Sequence, residues 1–226
     1  EEDAKTRYSK ERKEAAYKFG KRVDADELLR SSTEKSWQTL NDVEKKAAFY
    51  YTLDSESFNP ILRQGGSNKE IEGLISAIDK TPLEYDVKLK RVSSLSGLLK
   101  HLGISDLTQF KKGTKTIEKG FYSTSTADDA HYAGDNINVE YEIYAPKGTK
   151  AIYVEPFSQY NFNPKEQRGL KWDGKHKPTN DDGKTRVGAE AELLIQQGYE
   201  YRIIDIKYNK KKDKYFVIEE VILDDK

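Results

Sequence analysis

Hydrophobic periodicity changes once along this chain, and that change constrains the fold more than any other feature. Asn41-Asp42-Val43-Glu44 has the form of a capping box and opens a helix through Ala47, Ala48, Phe49 and Tyr50. Ser67-Asn68-Lys69-Glu70 has the same form. It opens a helix whose Ile71, Leu74, Ile75 and Ile78 follow i, i+3, i+4, i+7 spacing and line one face; Pro82 closes that element. A shorter helix runs from Ser94 to Leu102 and ends at Gly103. Later segments rich in Tyr, Ile and Val read as strands: Gly120 to Thr124, Val139 to Tyr144, Lys150 to Val154, Glu190 to Ile195, Glu200 to Tyr208 and Tyr215 to Leu223, preceded by Asp86 to Val92. Turns at Pro146-Lys147-Gly148 and at Asn209 to Asp213 are expected to join neighbours as hairpins. Helices first and strands after, without alternation, predict an α+β fold with antiparallel sheets.

The 226 residues suffice for one large domain with a real core. Residues 1–27 read as a charged helical extension or linker remnant, and 28–226 as a single domain. The charged fraction equals the hydrophobic fraction at 35%, so the surface must be densely charged. Basic and acidic residues balance at 39 each, which argues against a nucleic-acid binder driven by phosphate neutralisation. No apolar run approaches the roughly 18 residues of a membrane helix, and no signal-peptide core is visible. Cysteine is absent, which excludes disulfides, thiol nucleophiles and thiolate zinc sites. His101, His131 and His176 have no metal-ligand spacing and read as isolated surface residues, so no metal is expected. Methionine is absent even at position 1, so the chain is expected to be a processed product or a fragment.

The chemistry concentrates in Gly188-Ala189-Glu190-Ala191-Glu192-Leu193-Leu194-Ile195. Alternate strand residues share a face, so Glu190 and Glu192 stand roughly 7 Å apart at the mouth of an apolar strand. Two acids there are poor packing unless something positive needs them, and their proximity should raise one pKa unless cations compensate. Upstream, Gly120-Phe121-Tyr122-Ser123-Thr124-Ser125-Thr126 is a hydroxyl-rich strand able to hold carboxylates by hydrogen bonds. The pair suggests an enzyme that stabilises a cationic transition state. Between Glu155 and Gly188 lies a long aperiodic stretch that carries Tyr160, Phe162 and Trp172, and it reads as a substrate-contacting loop. Lys210-Lys211-Lys212 reads as a solvated turn, and Arg186 as a surface residue.

Four elements in order carry a family resemblance. Trp37 to Glu44, Tyr50-Tyr51-Thr52 and Phe58-Asn59-Pro60-Ile61-Leu62-Arg63 resemble the helical opening of bacterial mono-ADP-ribosyltransferases. Arg91, Ser123-Thr124-Ser125 and Glu190-x-Glu192 then resemble that family's Arg, Ser-Thr-Ser and Glu-x-Glu elements, with coverage from about Leu28 to Leu223. Tyr144 to Lys150, Glu155-Pro156-Phe157-Ser158 and Trp172-Asp173-Gly174 look most like the ADP-ribosyltransferase domains of tailed-phage minor head proteins. Secreted toxins that modify actin or small GTPases share the catalytic layout.

The resemblance implies N-terminal helices on two mainly antiparallel, roughly perpendicular sheets, with NAD in the cleft between them. It implies transfer of ADP-ribose from NAD to a protein side chain. Glu192 would face the oxocarbenium ion formed as nicotinamide leaves, and Ser123 would hold it. Thr124 and Ser125 would shape the nicotinamide pocket. Arg63 and Arg91 would bind the phosphates, Asn59 would brace them, and Tyr132 would stack within the overlying loop from Ala127 to Asn138. Glu190 would select an arginine acceptor, whose guanidinium pairs bidentately with a carboxylate. Tyr160, Phe162 and Trp172 would meet the protein substrate. The protein would be secreted or virion-associated, part of a larger phage or toxin polypeptide, and would act in a target-cell cytoplasm. An NAD glycohydrolase and a catalytically idle phage-head assembly module are the alternatives.

Overall fold

A computed structural model of the chain describes residues 7–128, 137–154 and 191–223. The helical half begins with α1 (Lys10–Glu14), the short strand β1 (Tyr17–Lys18) and α2 (Arg22–Thr39). It continues through α3 (Asp42–Leu53), α4 (Asn59–Arg63) and α5 (Lys69–Asp79). The capping box at α3 forms: Asn41 Oδ1 accepts from the Glu44 amide at 3.0 Å, and Glu44 Oε2 accepts from the Asn41 amide at 2.8 Å. At α5 the cap falls one residue later than the sequence pattern suggests, because Asn68, not Ser67, accepts from Ile71 N. Gly73 lets α5 lie close on α3, since a Cβ there would sit 3.2 Å from that of Ala47.

The strand half contains β2 (Val87–Ser93), α6 (Leu95–Leu102), β3 (Lys115–Ile117), β4 (Tyr122–Ser125), β5 (Val139–Ala145), β6 (Ala151–Tyr153), β7 (Glu192–Ile195), β8 (Glu200–Asn209) and β9 (Lys214–Ile222). Gly103 ends α6 in the left-handed region at φ 67°. Hydrogen bonding links the strands in the order β3-β8-β9-β5-β2-β4-β7-β6, with β1 beside β2. The α+β fold is as expected, but the sheet is mixed: β5 runs parallel to β9, and β1 to β2.

One junction shapes the site. β2 and β4 are paired at a single register position, Lys90 with Ser125. β1 occupies the same edge of β2 at Val87 and Lys88, and Phe19 bridges to Ala127 beyond β4. The core divides into two clusters, one on each face of β4, β7 and β6. One cluster packs Leu29 of α2 and Leu98 and Leu102 of α6 against Leu89, Ile143, Tyr201 and Val217. The other packs Ala47, Ala48 and Tyr51 of α3 and Ile71, Leu74 and Ile78 of α5 against Phe121, Ile152 and Leu194.

One of the two expected hairpins needs correction. The Asn209–Asp213 turn does join β8 and β9 as an antiparallel hairpin, but the Pro146-Lys147-Gly148 turn makes none. Both edges of β5 are taken, by β2 and β9, so β6 crosses over to pair with β7. The charged N-terminal segment docks on the strand half: Tyr8 packs on Tyr144, and Arg12 pairs with Asp86 at 2.8 Å.

Candidate active site

β4 and β7 lie side by side, with Ser123 opposite Leu194, Thr124 opposite Leu193 and Ser125 opposite Glu192. Alternation puts Ser123, Ser125 and Glu192 on the face shared with Phe121 and Leu194, beneath α3 and α5. Glu192 is only 7% exposed, so its carboxylate is withdrawn from bulk solvent. The threonines grip the backbone of β7 instead. Thr124 Oγ1 donates to the Leu193 carbonyl at 2.6 Å, and Thr126 Oγ1 donates to the Ala191 carbonyl at 3.0 Å. Ala191 is held at φ 44°, a left-handed conformation uncommon outside glycine, immediately before Glu192.

Tyr51 joins this face from α3. Its hydroxyl lies 2.8 Å from Ser123 Oγ and accepts from Asn59 Nδ2 at 3.1 Å. Asn59 Oδ1 in turn accepts from the Phe121 amide at 2.8 Å, so Asn59 ties α4 to the entry of β4. Burial, and then the charge of Glu192, push the Tyr51 phenol well above its ordinary pKa, keeping it a neutral hydrogen-bonding hydroxyl. Tyr51 was not singled out from the sequence as a site residue. Its signal was the helical spacing that places it on the buried face with Ala47 and Ala48.

Arg91 lies where β2 and β4 cease to pair. Its Nη1 donates to the Ser123 carbonyl at 2.6 Å, in place of a ladder donor, and its guanidinium covers the Tyr122 ring at 4.5 Å. Arg91 lines a cleft of about 310 Å³ together with Arg63, Lys100, Lys119, His101 and Glu118. Arg63 pairs through Nε with Glu118 Oε1 at 3.1 Å. Two guanidinium groups and two lysines around one cleft suit an anionic, phosphate-bearing ligand.

His101 corrects the sequence reading: it is buried, not on the surface. Its Nε2 is 3.2 Å from Glu219 Oε2 and its Nδ1 is 3.8 Å from Glu118 Oε2. Partners so distant in sequence leave no local pattern, which is why neither His101 nor Glu118 stood out. The structure thus brings Arg63 and Arg91 to one cleft, links Asn59 to Ser123 through Tyr51, and sets Ser125 opposite Glu192, while Thr124 faces the other side of β4. Glu190, Tyr132, Tyr160, Phe162, Trp172, Arg186, His131 and His176 lie outside the described residues.

Residues 27–225 match the sequence model of the ADP-ribosyltransferase exoenzyme family. The chain belongs to that family. Among solved structures, the Clostridium limosum C3 exoenzyme is similar, with a TM-score of 0.67 and 18% identity over 92% of this chain and 98% of its own. C3stau2 from S. aureus, solved with NAD, has a TM-score of 0.64 and 21% identity over 92% and 98%. BECa, the ADP-ribosylating toxin of a C. perfringens binary enterotoxin, solved with NADH, has a TM-score of 0.65 and 17% identity, covering 92% of this chain and 50% of its own. At these identities the likeness establishes the shared fold, helices packed on a multi-strand sheet. A comparison with curated protein sequences returned no match. Among the described residues, no helix is long and apolar enough to cross a membrane.

Proposed function

We propose that this family member is a mono-ADP-ribosyltransferase that takes NAD as its substrate and modifies arginine side chains of a protein. The observation that carries the reading is a withdrawn carboxylate, Glu192, on the face of Ser123 and Tyr51, beside a cleft lined by Arg63 and Arg91.

In the reaction the bond between nicotinamide and the ribose C1′ breaks, and its electron pair leaves with nicotinamide. The ribose becomes oxocarbenium-like, and a fixed carboxylate lowers the energy of that state more than that of neutral ground-state ribose. Glu192 is the residue for this role. Its retention in a nearly closed environment keeps the charge poorly screened, where it counts most. Arg63 and Arg91 take the two phosphates, and Asn59 holds α4, which carries Arg63, against the entry of β4. The acceptor nitrogen then bonds to C1′ and gives up a proton. Free arginine has a pKa above about 12, so Glu190 serves to orient and polarise the guanidinium during attack rather than to deprotonate it beforehand. The Glu-x-Glu pattern supports arginine as acceptor through the bidentate pairing it permits.

Residues 28–226 form the catalytic domain in this reading, with Tyr132 assigned to cofactor binding and Tyr160, Phe162 and Trp172 to recognition of the protein substrate. Action inside a target cell follows from the toxin resemblance. The link to phage head proteins rests on the Tyr144–Lys150, Glu155–Ser158 and Trp172–Gly174 segments alone. Incubation of the purified protein with labelled NAD and a cell lysate tests the proposal: labelled protein bands, with the label on arginine, are expected. Nicotinamide release without labelling would make the protein a glycohydrolase, and no turnover with no NAD binding would leave an assembly module.

A further inference from the structure

We infer that His101, clasped between Glu118 and Glu219, is a positioning residue that fixes Arg63 and Arg91 relative to one another across the cleft. The inference rests on the reading of that cleft as the dinucleotide site.

A continuous chain of side chains joins the two arginines. Arg63 Nε meets Glu118 Oε1 at 3.1 Å, and the same oxygen accepts from the Gly120 amide at 2.8 Å, at the entry to β4. Glu118 Oε2 faces His101 Nδ1 at 3.8 Å, an ion-pair distance. His101 Nε2 meets Glu219 Oε2 at 3.2 Å, and Glu219 Oε1 accepts from the Tyr122 hydroxyl at 2.7 Å. The Tyr122 ring is the surface on which the Arg91 guanidinium rests, and His101 itself stacks on that ring with centroids 5.5 Å apart.

Both imidazole nitrogens therefore face carboxylate oxygens. A neutral imidazole has one donor and one lone pair, so it can satisfy only one side; the imidazolium satisfies both. The groups around the ring are Glu118 from the segment before β4, Glu219 from β9, Tyr122 from β4, Tyr141 from β5 and Tyr201 from β8, with Arg91 beyond Tyr122 and Arg63 beyond Glu118. Burial opposes the charge, but the two carboxylates outweigh it and lift the imidazole pKa to about 9. Loss of that charge deprives Glu219, at 0% exposure, of its ion-pair partner His101, and turns Glu118 wholly onto Arg63, drawing its guanidinium away from a phosphate.

The experiment uses the full chain and NAD. Calorimetric titration of wild type, His101→Gln and Glu118→Gln is paired with steady-state nicotinamide release. His101→Gln is expected to weaken NAD binding and raise KM by about tenfold, the cost of one disturbed charge-assisted contact, with kcat changed far less. Wild-type affinity should fall as pH rises through about 9, and the His101→Gln profile should lack that limb. Wild type that binds NAD, with a folded His101→Gln of equal affinity and equal pH profile, overturns this inference alone. Failure of wild type to bind NAD overturns the dinucleotide reading and this inference together. Should His101→Gln not fold, Glu118→Gln carries the same KM test. NMR titration of the wild-type imidazole then decides independently: titration below pH 7 overturns the clasp.

Discussion

Substitution of Tyr51 by Phe probes the site with little change in shape. The ring stays packed edge-on against Phe58 and Phe121, with centroids 5.3 and 5.6 Å away, so no cavity opens. What is lost is one buried hydroxyl that accepts from Asn59 Nδ2 and shares a hydrogen bond with Ser123 Oγ. A typical bond nets about 0.5–1.5 kcal/mol, so two give about 1–3 kcal/mol, toward the upper end if the Asn59 amide finds no other acceptor. Taking about 2 kcal/mol, the melting temperature of a chain this size should fall by about 4–8 °C. Urea denaturation gives the free energy directly, and the m-value should not change, because the surface exposed on unfolding is the same. Nicotinamide release should slow as well, since Ser123 loses the partner that fixes its rotamer next to Glu192. A loss of stability under about 0.5 kcal/mol, with unchanged turnover, would refute the view that Tyr51 organises this face.

Stability should also depend on pH at both ends of the scale. His101 has its pKa raised to about 9, so its contribution is complete below 6.5 and is lost as pH rises through about 9. Burial raises that of Glu118, but His101, the Gly120 amide and Arg63 together bring it down to about 2, so its contribution holds above 4.5 and is lost as pH falls toward 2. Each shift corresponds to about 3 kcal/mol, but the pair shares one interaction and is counted once; chemical denaturation from pH 6 to 10 should show that decline in wild type and not in His101→Gln. Ala191→Gly relieves a left-handed residue while loosening the unfolded chain, so its stability should stay within about 0.5 kcal/mol of wild type, whereas Ala191→Val should cost about 2 kcal/mol or more. Glu192→Gln should abolish both transfer and NAD hydrolysis, while Glu190→Gln should abolish transfer and spare most hydrolysis, read by labelled NAD and nicotinamide release. Equal loss of both activities in the Glu190 variant would contradict the division of labour between the two acids.

Much of this arrangement could be read from local pattern. The Asn41–Glu44 capping box, the buried stripe of α5 and the Gly103 stop are decided within a few residues, and they stand as the sequence predicts. Period-2 alternation likewise located β4, β5, β7, β8 and β9 to within a residue or two. What escaped depends on long-range choice. β3, Lys115–Ile117, is a short edge strand with no run of its own. α2, with few apolar positions among Lys, Glu and Ser, is held by the core it touches at Ala25, Leu29 and Trp37. The pairing of β6 with β7 rather than β5 follows from which edges remain open, which no single segment encodes. The site divides in the same way: the hydroxyl strand and Glu192 form a contiguous pattern, whereas Tyr51, His101, Glu118 and Glu219 converge from separate elements.

The single rung between Lys90 and Ser125 has a mechanical consequence. One face of the slab formed by β4, β7 and β6 packs under α3 and α5, while its other face, through Tyr122, Tyr153, Leu193 and Ile195, shares a single cluster with Leu89, Ile143 and Val217 of the slab formed by β2, β5, β9, β8 and β3. Main-chain pairing between β2 and β4 is confined to that rung, so the two slabs are joined chiefly by side-chain packing. Arg91 spans that seam with its head on one slab and its root in the other, as a cotter pin holds two plates. A ligand that engages its guanidinium would therefore act on a residue rooted in β2 and bonded to β4 at once.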